Sequence, residues 1–469
     1  MPGKIESLPL FEKKNTLNNV TFADLELAPE LLKSLSASGY TIPTPIQAQA
    51  IPLVLQGRDL MAGAQTGTGK TAAFALPVIQ KLLPFASTST SPARHAVRAL
   101  ILVPTRELAV QVEASVKAYA QHTHLRSLVV FGGVDIRTQT PHLKTGVEIL
   151  VATPGRLLDH IEMKSVQLNQ VQMLVLDEAD RMLDMGFMPD LKRILALLPK
   201  TRQNLMFSAT FSAEIKKLSA EFLNDPTLIE VARSNATAEN VTQKVYLVAH
   251  EDKHALLAQL LRGNDATQAI VFTKTKLTAS RLARQLQREG VAADAIHGDK
   301  SQLERMQALE AFKQGKVTVL IATDVAARGL DIDHLPMVIN YEIPHAPEDY
   351  VHRIGRTGRA GASGTAISLV SPDEEKYLQE IEKLIKRELP KQTSDLPPTP
   401  APVPRAAHHE RSYAPHPVSK HPGRDAWFDK PYEPSARSAP VKSEAPLLPS
   451  QSKGQIPALF MRRKPDEAA

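Results

Sequence analysis

The chain has 469 residues, 43% hydrophobic and 23% charged, which suits two or three domains with ordinary cores. It contains no cysteine, which excludes disulfides, thiolate zinc sites and cysteine nucleophiles. The formal charge of +6 and the pI of about 9.2 weakly favour a polyanionic partner. Residues 1–21 form a polar N-terminal extension without a signal-peptide core, and no stretch approaches the ~18 apolar residues of a membrane span. We therefore expect a cytoplasmic protein without membrane contact.

Short apolar runs alternate with amphipathic stretches between residues 22 and 388. Runs such as 100–103 and 173–176 are typical of strands buried on both faces, and stretches such as 106–120 are typical of helices. This rhythm predicts an α/β fold with parallel sheets in two tandem domains, at 22–232 and 241–388, with a polar linker at 233–240.

Residues 389–469 differ in composition from the rest of the chain. Residues 390–469 contain 16 prolines, and 12 Lys and Arg residues against 8 Asp and Glu residues, without periodicity. Proline removes a backbone donor and breaks both helices and strands, so we expect a disordered, basic tail.

A glycine-rich loop follows the strand at 59–62 and precedes a helix predicted to begin at Ala72. The loop consists of Ala64, Gln65, Thr66, Gly67, Thr68, Gly69, Lys70 and Thr71, and Ala64 stands where a nucleotide phosphate loop usually has its first glycine. The glycines let the backbone approach phosphates, whose charge suits the N-terminus of the following helix. Lys70 is expected to reach the β- and γ-phosphates and the Thr71 hydroxyl to ligate Mg²⁺. A chance glycine-rich turn is the alternative.

An acidic run follows the apolar strand at 171–176. Carboxylates at the carboxyl end of a buried strand lie at the sheet edge where such folds bind ligands. We predict that Asp177 holds Mg²⁺ through water and that Glu178 polarises the attacking water as a general base. A solvated acidic turn is the alternative, and the phosphate loop argues against it.

Two residues upstream of the loop have side chains that suit adenine. The amide of Gln47 can pair with N6 and N7 of adenine, and the ring of Phe22 can stack on the base. In isolation such a pair carries little information.

These residues occur in the order of the motifs of DEAD-box RNA helicases, which the chain resembles over about residues 20–388. The matching segments also include 104–108, 132–133, 153–156, 177–180, 208–210, 271–273, 302–305, 322–332 and 350–359. The short extension and basic tail are most similar to the bacterial RhlE-like subgroup. The resemblance implies two RecA-like domains, ATP and Mg²⁺ as cofactors, hydrolysis of ATP to ADP and phosphate, and local unwinding of short RNA duplexes.

The resemblance also assigns roles to residues beyond the phosphate loop. It implies that Arg356 and Arg359 act as arginine fingers, that His352 joins the network around the attacking water, and that Asp331 binds the ribose hydroxyls. For the arginine pair, a basic surface for nucleic acid is the alternative. Residues for coupling hydrolysis to strand opening are Asp180, Ser208 and Thr210. Residues implied for sugar–phosphate contacts with RNA are Arg106, Gly133, Thr153, Arg156, Thr273, Arg305 and Gly329.

Two other classes of protein remain compatible with this pattern. One is a DNA helicase, and the other is an RNA chaperone or scaffold that clamps RNA without turnover. The tail is predicted either to tether RNA or to be an inert extension. Ribosomal or RNA-decay proteins are the partner classes that suit such a helicase, but the sequence does not identify the physiological RNA.

Overall fold

The structure, a computed structural model, describes residues 20–63, 67–230, 241–263, 268–327, 329–330, 332, 335–358 and 363–393. Most of the predicted N-terminal extension, the predicted linker and the chain beyond residue 393 lie outside these ranges. Within them, no helix is both long enough and apolar enough to cross a membrane.

The first sheet has seven strands, and every pair of neighbours runs parallel. The strands are β1 (Leu60–Gly63), β2 (Ala99–Leu102), β3 (Ser127–Val130), β4 (Ile149–Ala152), β5 (Met173–Leu176), β6 (Gln203–Ser208) and β7 (Thr227–Glu230). They lie in the order β3-β4-β2-β5-β6-β1-β7. The helices around them are α1 (Pro29–Ala37), α2 (Pro45–Leu55), α3 (Lys70–Leu82), α4 (Arg106–Tyr119), α5 (Ile136–Lys144), α6 (Pro154–Glu162), α7 (Ala179–Asp184), α8 (Met188–Leu197) and α9 (Ala213–Phe222).

The second sheet repeats this design with seven parallel strands. The strands are β8 (Val241–Leu247), β9 (Ala269–Thr273), β10 (Ala293–Ile296), β11 (Val319–Thr323), β12 (Met337–Asn340), β13 (Gly364–Val370) and β14 (Lys391–Thr393). They lie in the order β10-β11-β9-β12-β13-β8-β14. The helices are α10 (Lys253–Gly263), α11 (Lys276–Arg288), α12 (Gln302–Lys313), α13 (Asp324–Ala327), α14 (Pro347–Ile354) and α15 (Glu375–Ile385).

Both sheets have a hydrophobic core on each face, which confirms the predicted α/β fold with two parallel-sheet domains. All residues of β2, β4, β5, β9 and β11 are buried. Strands covered by helices on both faces are apolar throughout, which explains why continuous apolar runs predicted them.

The predicted end of the second domain at residue 388 is too early. Strand β14 lies within the stretch expected to be tail, and it pairs in parallel with β8 at the edge of the second sheet. Its three residues are polar and exposed, so backbone hydrogen bonding rather than an apolar pattern produces this strand. The other domain boundaries stay a prediction.

The order of strands in the first sheet divides its carboxyl edge into two halves. The loops after the adjacent strands β1, β6 and β5 carry the glycine-rich loop, the 208–210 segment and the acidic run. The loops after β2, β4 and β3 carry residues predicted to contact RNA. Because parallel strands end at the same edge, residues distant in sequence become neighbours there.

Candidate functional site

The glycine-rich loop leads directly into helix α3. Gly67 and Gly69 adopt left-handed φ angles of +83° and +90°, which glycine alone tolerates easily. A Cβ at Gly69 would lie 2.3 Å from Gln47 Nε2, so the loop has no room for a side chain there. Helix α3 begins at Lys70, two residues before the predicted start, and Thr71 follows in its first turn. Ala64, Gln65 and Thr66 lie outside the described residues.

Lys70 is a buried cation whose ammonium group makes no hydrogen bond within the described residues. Its side chain is 6% exposed, and Nζ lies 3.9 Å from Asp177 Oδ1, which is too long for a hydrogen bond. Within the described part of the chain, Nζ has no hydrogen-bond partner. A buried ammonium group in this state is strongly disfavoured unless an anion completes its shell. The lysine therefore fits a phosphate ligand.

The two residues predicted to bind adenine are both buried. Gln47 caps helix α2, since its Oε1 accepts a hydrogen bond from Thr44 N at 2.9 Å. Its Nε2 donates to Gly69 O at 3.1 Å, which ties the cap to the glycine-rich loop. Phe22 is 3% exposed and packs in the hydrophobic core. Nε2 of Gln47 has a second hydrogen to donate, and Oε1 has a second lone pair with which to accept. Recognition of adenine by these two residues stays a prediction.

Asp177 and Glu178 follow the buried strand β5. Asp177 Oδ1 accepts a hydrogen bond from Glu178 N at 3.0 Å. Burial raises the pKa of Asp177 to about 6; the charge of Lys70 lowers it, and the charge of Glu178 raises it. Glu178 adopts a left-handed conformation with φ 53° and ψ 52°, which is costly for a residue with a side chain. Such strain in a buried acidic cluster is typical of a functional site.

Asp180 connects the acidic run to the loop after β6. Its Oδ2 accepts hydrogen bonds from Ala209 N at 3.1 Å, from Thr210 N at 3.0 Å and from Thr210 Oγ1 at 3.1 Å. Ser208 Oγ donates to Thr210 O at 2.7 Å. The structure thus brings together the three residues predicted to couple hydrolysis to strand opening.

The second domain contributes helix α14 and the turn after it. Burial, followed by the positive charge of Arg181, lowers the pKa of His352 to about 3, so its imidazole is neutral at pH 7. Arg356 is buried, and its Nη1 donates to Leu330 O at 2.8 Å. Asp331 and Arg359 lie outside the described residues.

Residues of both domains line one cleft. They are Lys70, Glu178, Asp180, Arg181, Ala209, Gly329, His352 and Arg356. The cleft therefore joins the glycine-rich loop and the acidic run of the first domain to the histidine and arginine of the second.

Arginines cluster over the other half of the first sheet. Arg156 Nη2 donates to Val134 O at 2.8 Å, and its buried Nη1 has no partner among the described residues. Thr153 lies at the N-cap of helix α6, three residues before Arg156. A Cβ at Gly133 would lie 2.0 Å from Arg106 Nη1, so a side chain at this position would displace that guanidinium.

The cluster is completed from the second domain. Arg305 Nη2 lies 2.9 Å from Glu107 Oε1, while its buried Nε has no partner in the described chain. Gln302 Nε2 donates to Glu107 Oε1 at 3.1 Å, and Arg106 Nη1 donates to Gln302 Oε1 at 3.4 Å. Burial and then the charge of Arg305 lower the pKa of Arg106. Buried, mutually repelling guanidinium groups fit a phosphate ligand.

Thr273 is enclosed, and its predicted contact with RNA stays a prediction. It is fully buried as the last residue of β9, and its hydroxyl donates to Thr275 O at 3.3 Å. Because β9 is covered on both faces, no residue within it reaches the surface. Thr275, two residues further on, is exposed at the N-cap of helix α11.

Among the described residues, sequence reasoning missed several that join the domains. Glu107 and Gln302 do so through the contacts given above, and Arg181 and Asp349 do so through Nη1 and Oδ1, which lie 3.2 Å apart. Each of these residues lies within three positions of a predicted site residue, and adjacency was the one signal available in the sequence.

Family comparisons agree with this site. The DEAD/DEAH box helicase family matches residues 44–218, and the helicase conserved C-terminal domain matches residues 252–361. The chain is 44% identical over 370 residues to the DEAD-box ATP-dependent RNA helicase CshA of Bacillus subtilis (strain 168), covering 79% of this chain and 73% of that one. It is 45% identical over 368 residues to the ATP-dependent RNA helicase CshA of Listeria monocytogenes, covering 78% and 69%.

Among solved structures, Dbp5 of S. cerevisiae bound to RNA and ADP BeF3 is similar with a TM-score of 0.71 at 33% identity. The match covers 80% of this chain and 96% of that one, and therefore includes both sheets. The relatives exceed 40% identity over more than two thirds of their own length, and the matched segments contain the residues of the cleft. The chain belongs to the DEAD-box family of ATP-dependent RNA helicases.

Proposed function

We infer that this chain binds RNA across two RecA-like domains and couples ATP hydrolysis to local unwinding of short RNA duplexes. The observation that carries this function is the cleft, in which Lys70 and Glu178 of the first domain meet His352 and Arg356 of the second. The CshA relatives are named as ATP-dependent RNA helicases, and the similar Dbp5 structure contains RNA and ADP BeF3.

ATP and Mg²⁺ fit the residues around the glycine-rich loop. Lys70 Nζ makes no hydrogen bond within the described residues and Gly69 closely approaches Gln47, which leaves a cationic, backbone-lined site for phosphates. We assign Lys70 to the phosphates and Thr71 and Asp177 to Mg²⁺. ATP supplies the phosphoanhydride bond that is broken, and Mg²⁺ neutralises part of the phosphate charge.

For hydrolysis, we assign Glu178 as the general base that accepts a proton from the attacking water. The left-handed backbone of Glu178 orients its carboxylate from the N-terminus of helix α7, while Asp177 is held by the Glu178 backbone N–H. His352 is neutral, so it positions water by hydrogen bonding without adding charge. Arg356 supplies positive charge from the second domain, and Arg359 has the same assignment by the family resemblance.

RNA fits the arginine cluster. Arg156 Nη1 and Arg305 Nε are buried, have no partner among the described residues and belong to different domains, so a sugar–phosphate strand that contacts both must cross the domain boundary. Guanidinium and hydroxyl groups contact phosphates and 2′-hydroxyls without reading bases, so little sequence specificity is expected of the core.

Several finer features stay proposals. The RhlE-like subgroup rests on the short extension and the basic tail, whereas the relatives compared above are named CshA. The cytoplasmic location, ribosomal or RNA-decay partners and an RNA-tethering tail rest on the sequence alone.

The test is ATP turnover measured with RNA and with DNA of the same sequence and length. We expect Mg²⁺-dependent turnover stimulated by RNA, with little stimulation by DNA, and a preference for ATP over GTP. Equal stimulation by DNA supports a DNA helicase. RNA binding without turnover supports an RNA clamp. Equal turnover of GTP and ATP would remove adenine recognition from Gln47.

A further inference from the structure

An ion pair joins helix α7 of the first domain, which contains Asp180 of the acidic run, to helix α14 of the second domain, which contains His352. Arg181 Nη1 lies 3.2 Å from Asp349 Oδ1, and the two residues are 168 positions apart in sequence. The side chains of Arg181 and Asp349 are 9% and 20% exposed, so solvent screens the contact much less than it screens a surface pair.

Arg181 and Asp349 are each connected to a different part of the cleft. The backbone N of Arg181 donates to Asp180 Oδ1 at 3.1 Å, and Asp180 Oδ2 accepts from Thr210. Asp349 lies in the first turn of helix α14, three residues before His352 and on the same face of the helix. A change in the Arg181–Asp349 distance therefore moves the helix that carries His352 relative to the acidic run.

The charges around the pair favour a contact that forms when the domains meet. Arg181 also lies 3.5 Å from Asp184, whose side chain is 51% exposed. Asp184 belongs to the same helix as Arg181 and keeps a partner beside the guanidinium when the domains separate. From the second domain, Asp349 lies against the same guanidinium. Docking of the second domain thus adds another opposite charge beside Arg181.

We propose that Arg181 and Asp349 form an electrostatic latch that stabilises the closed arrangement of the two domains. Arg181 is a positioning residue in this role: it holds helix α14 in place and contacts neither nucleotide nor RNA. The proposal rests on the function inferred above, because closure matters only if ATP and RNA are bound together. Two other roles for Arg181, a direct contact with nucleotide and a direct contact with RNA, predict different measurements.

The experiment compares the full chain with Arg181→Ala, Asp349→Ala and the double variant. RNA affinity is measured with and without the non-hydrolysable analogue AMP-PNP, together with RNA-stimulated ATP turnover. We expect each single change to weaken RNA binding roughly tenfold with AMP-PNP and to leave RNA binding without nucleotide unchanged. The double variant should be no weaker than either single variant, because each single change already breaks the same ion pair. Turnover at limiting RNA should fall together with the RNA affinity measured with AMP-PNP, because hydrolysis draws on residues of both domains.

Two further variants separate the latch from a general loss of charge or stability. Arg193→Ala removes an ion pair with Glu162 that is exposed and lies within the first domain, and it should change none of these values. Arg181→Lys keeps the charge and should recover part of the RNA affinity measured with AMP-PNP.

Several outcomes overturn the latch. Additive losses in the double variant show that the two residues act independently. Weaker RNA binding without nucleotide makes Arg181 an RNA contact, and a large loss of AMP-PNP binding without RNA makes it a nucleotide contact. An original chain without RNA-stimulated turnover overturns the proposed function instead, so the two failures are distinguishable.

Discussion

Gly329 lies where the second domain touches the N-terminus of helix α4, and replacing it by alanine should hold the domains apart. Gly329 has a φ of +72°, and a Cβ there would lie 2.2 Å from Thr105 Oγ1 and 3.0 Å from Leu108 Cβ. Ordinary contacts between heavy atoms begin near ~3.5 Å, so the interface must open by about 1 Å. Thr105 caps helix α4 through Leu108 N and cannot move away without loss of that cap.

The size of the effect follows from the contacts that share this interface. The Glu107–Arg305 ion pair at 2.9 Å and the Gln302–Glu107 hydrogen bond at 3.1 Å both lengthen when the domains move apart. Weakening these two largely buried contacts costs about 3 kcal/mol in total, which corresponds to more than 100-fold in the closure equilibrium. The left-handed backbone costs a further ~1–2 kcal/mol within the second domain, because alanine disfavours that conformation.

RNA affinity in the presence and absence of AMP-PNP measures closure. The matched control is Gly315→Ala, because Gly315 has the same φ of +72° and its Cβ would meet nothing within 4 Å. This control should lower thermal stability without changing RNA affinity. Combining Gly329→Ala with Thr105→Ala should recover part of the affinity, since the nearest clashing atom is removed. If Gly329→Ala behaves like the control, or weakens RNA binding equally without nucleotide, the steric argument fails.

The remaining predictions concern chemistry, pH and the tail. Glu178→Gln should keep ATP and RNA binding and lower turnover by ~10²–10⁴, and near-normal turnover would remove Glu178 from the base role. Arg356→Ala should lower turnover by ~10³ or more with ATP affinity of the open form retained, whereas a loss confined to RNA binding supports the basic-surface alternative. Because burial raises the pKa of Asp177 to about 6, protons compete with Mg²⁺ as the pH falls, and half-maximal turnover should need about tenfold more Mg²⁺ at pH 5 than at pH 7. His352, with its pKa lowered to about 3, adds no second step in this range, and an unchanged Mg²⁺ requirement would contradict the argument. Truncation after Thr399 preserves strand β14 and should keep maximal turnover while weakening RNA binding. The dependence of log RNA affinity on log salt concentration should become shallower by about 0.7 for each phosphate that the tail no longer neutralises. An unchanged salt dependence supports an inert tail.

The sequence predicted those parts of the fold that local patterns determine. Strand β5 is Met173–Leu176, as its apolar run indicated, because a strand covered on both faces has no polar position to interrupt it. Helix α4 begins at Arg106, as the amphipathic stretch 106–120 indicated, and the Thr105 side chain caps it. Strand β14 could not be predicted in this way, since its three polar residues are a strand only because β8 lies beside them.

Contacts between the domains could not be predicted from local sequence patterns either, because they depend on residues that are distant in the chain. Arg181 and Asp349 are 168 positions apart, and no spacing in the sequence indicates that they meet. Burial of a side chain is a second property of this kind, since Thr273 was predicted to contact RNA and its side chain is fully buried. A threonine at the end of a strand gives no local sign of whether helices cover it, and Thr273 and Thr275 differ only in their position relative to the strand end.

The residues proposed for each ligand come from both domains, and this arrangement predicts that binding of ATP and binding of RNA are interdependent. On the nucleotide side, Lys70 and Glu178 belong to the first domain, while Arg356 belongs to the second. On the RNA side, Arg156 belongs to the first domain and Arg305 to the second, and each retains a buried nitrogen without a partner in the described chain. A ligand that satisfies both halves of one site favours closure, and closure completes the other site. Coupling of this kind is reciprocal by thermodynamic necessity, so the factor by which AMP-PNP strengthens RNA binding must equal the factor by which RNA strengthens AMP-PNP binding.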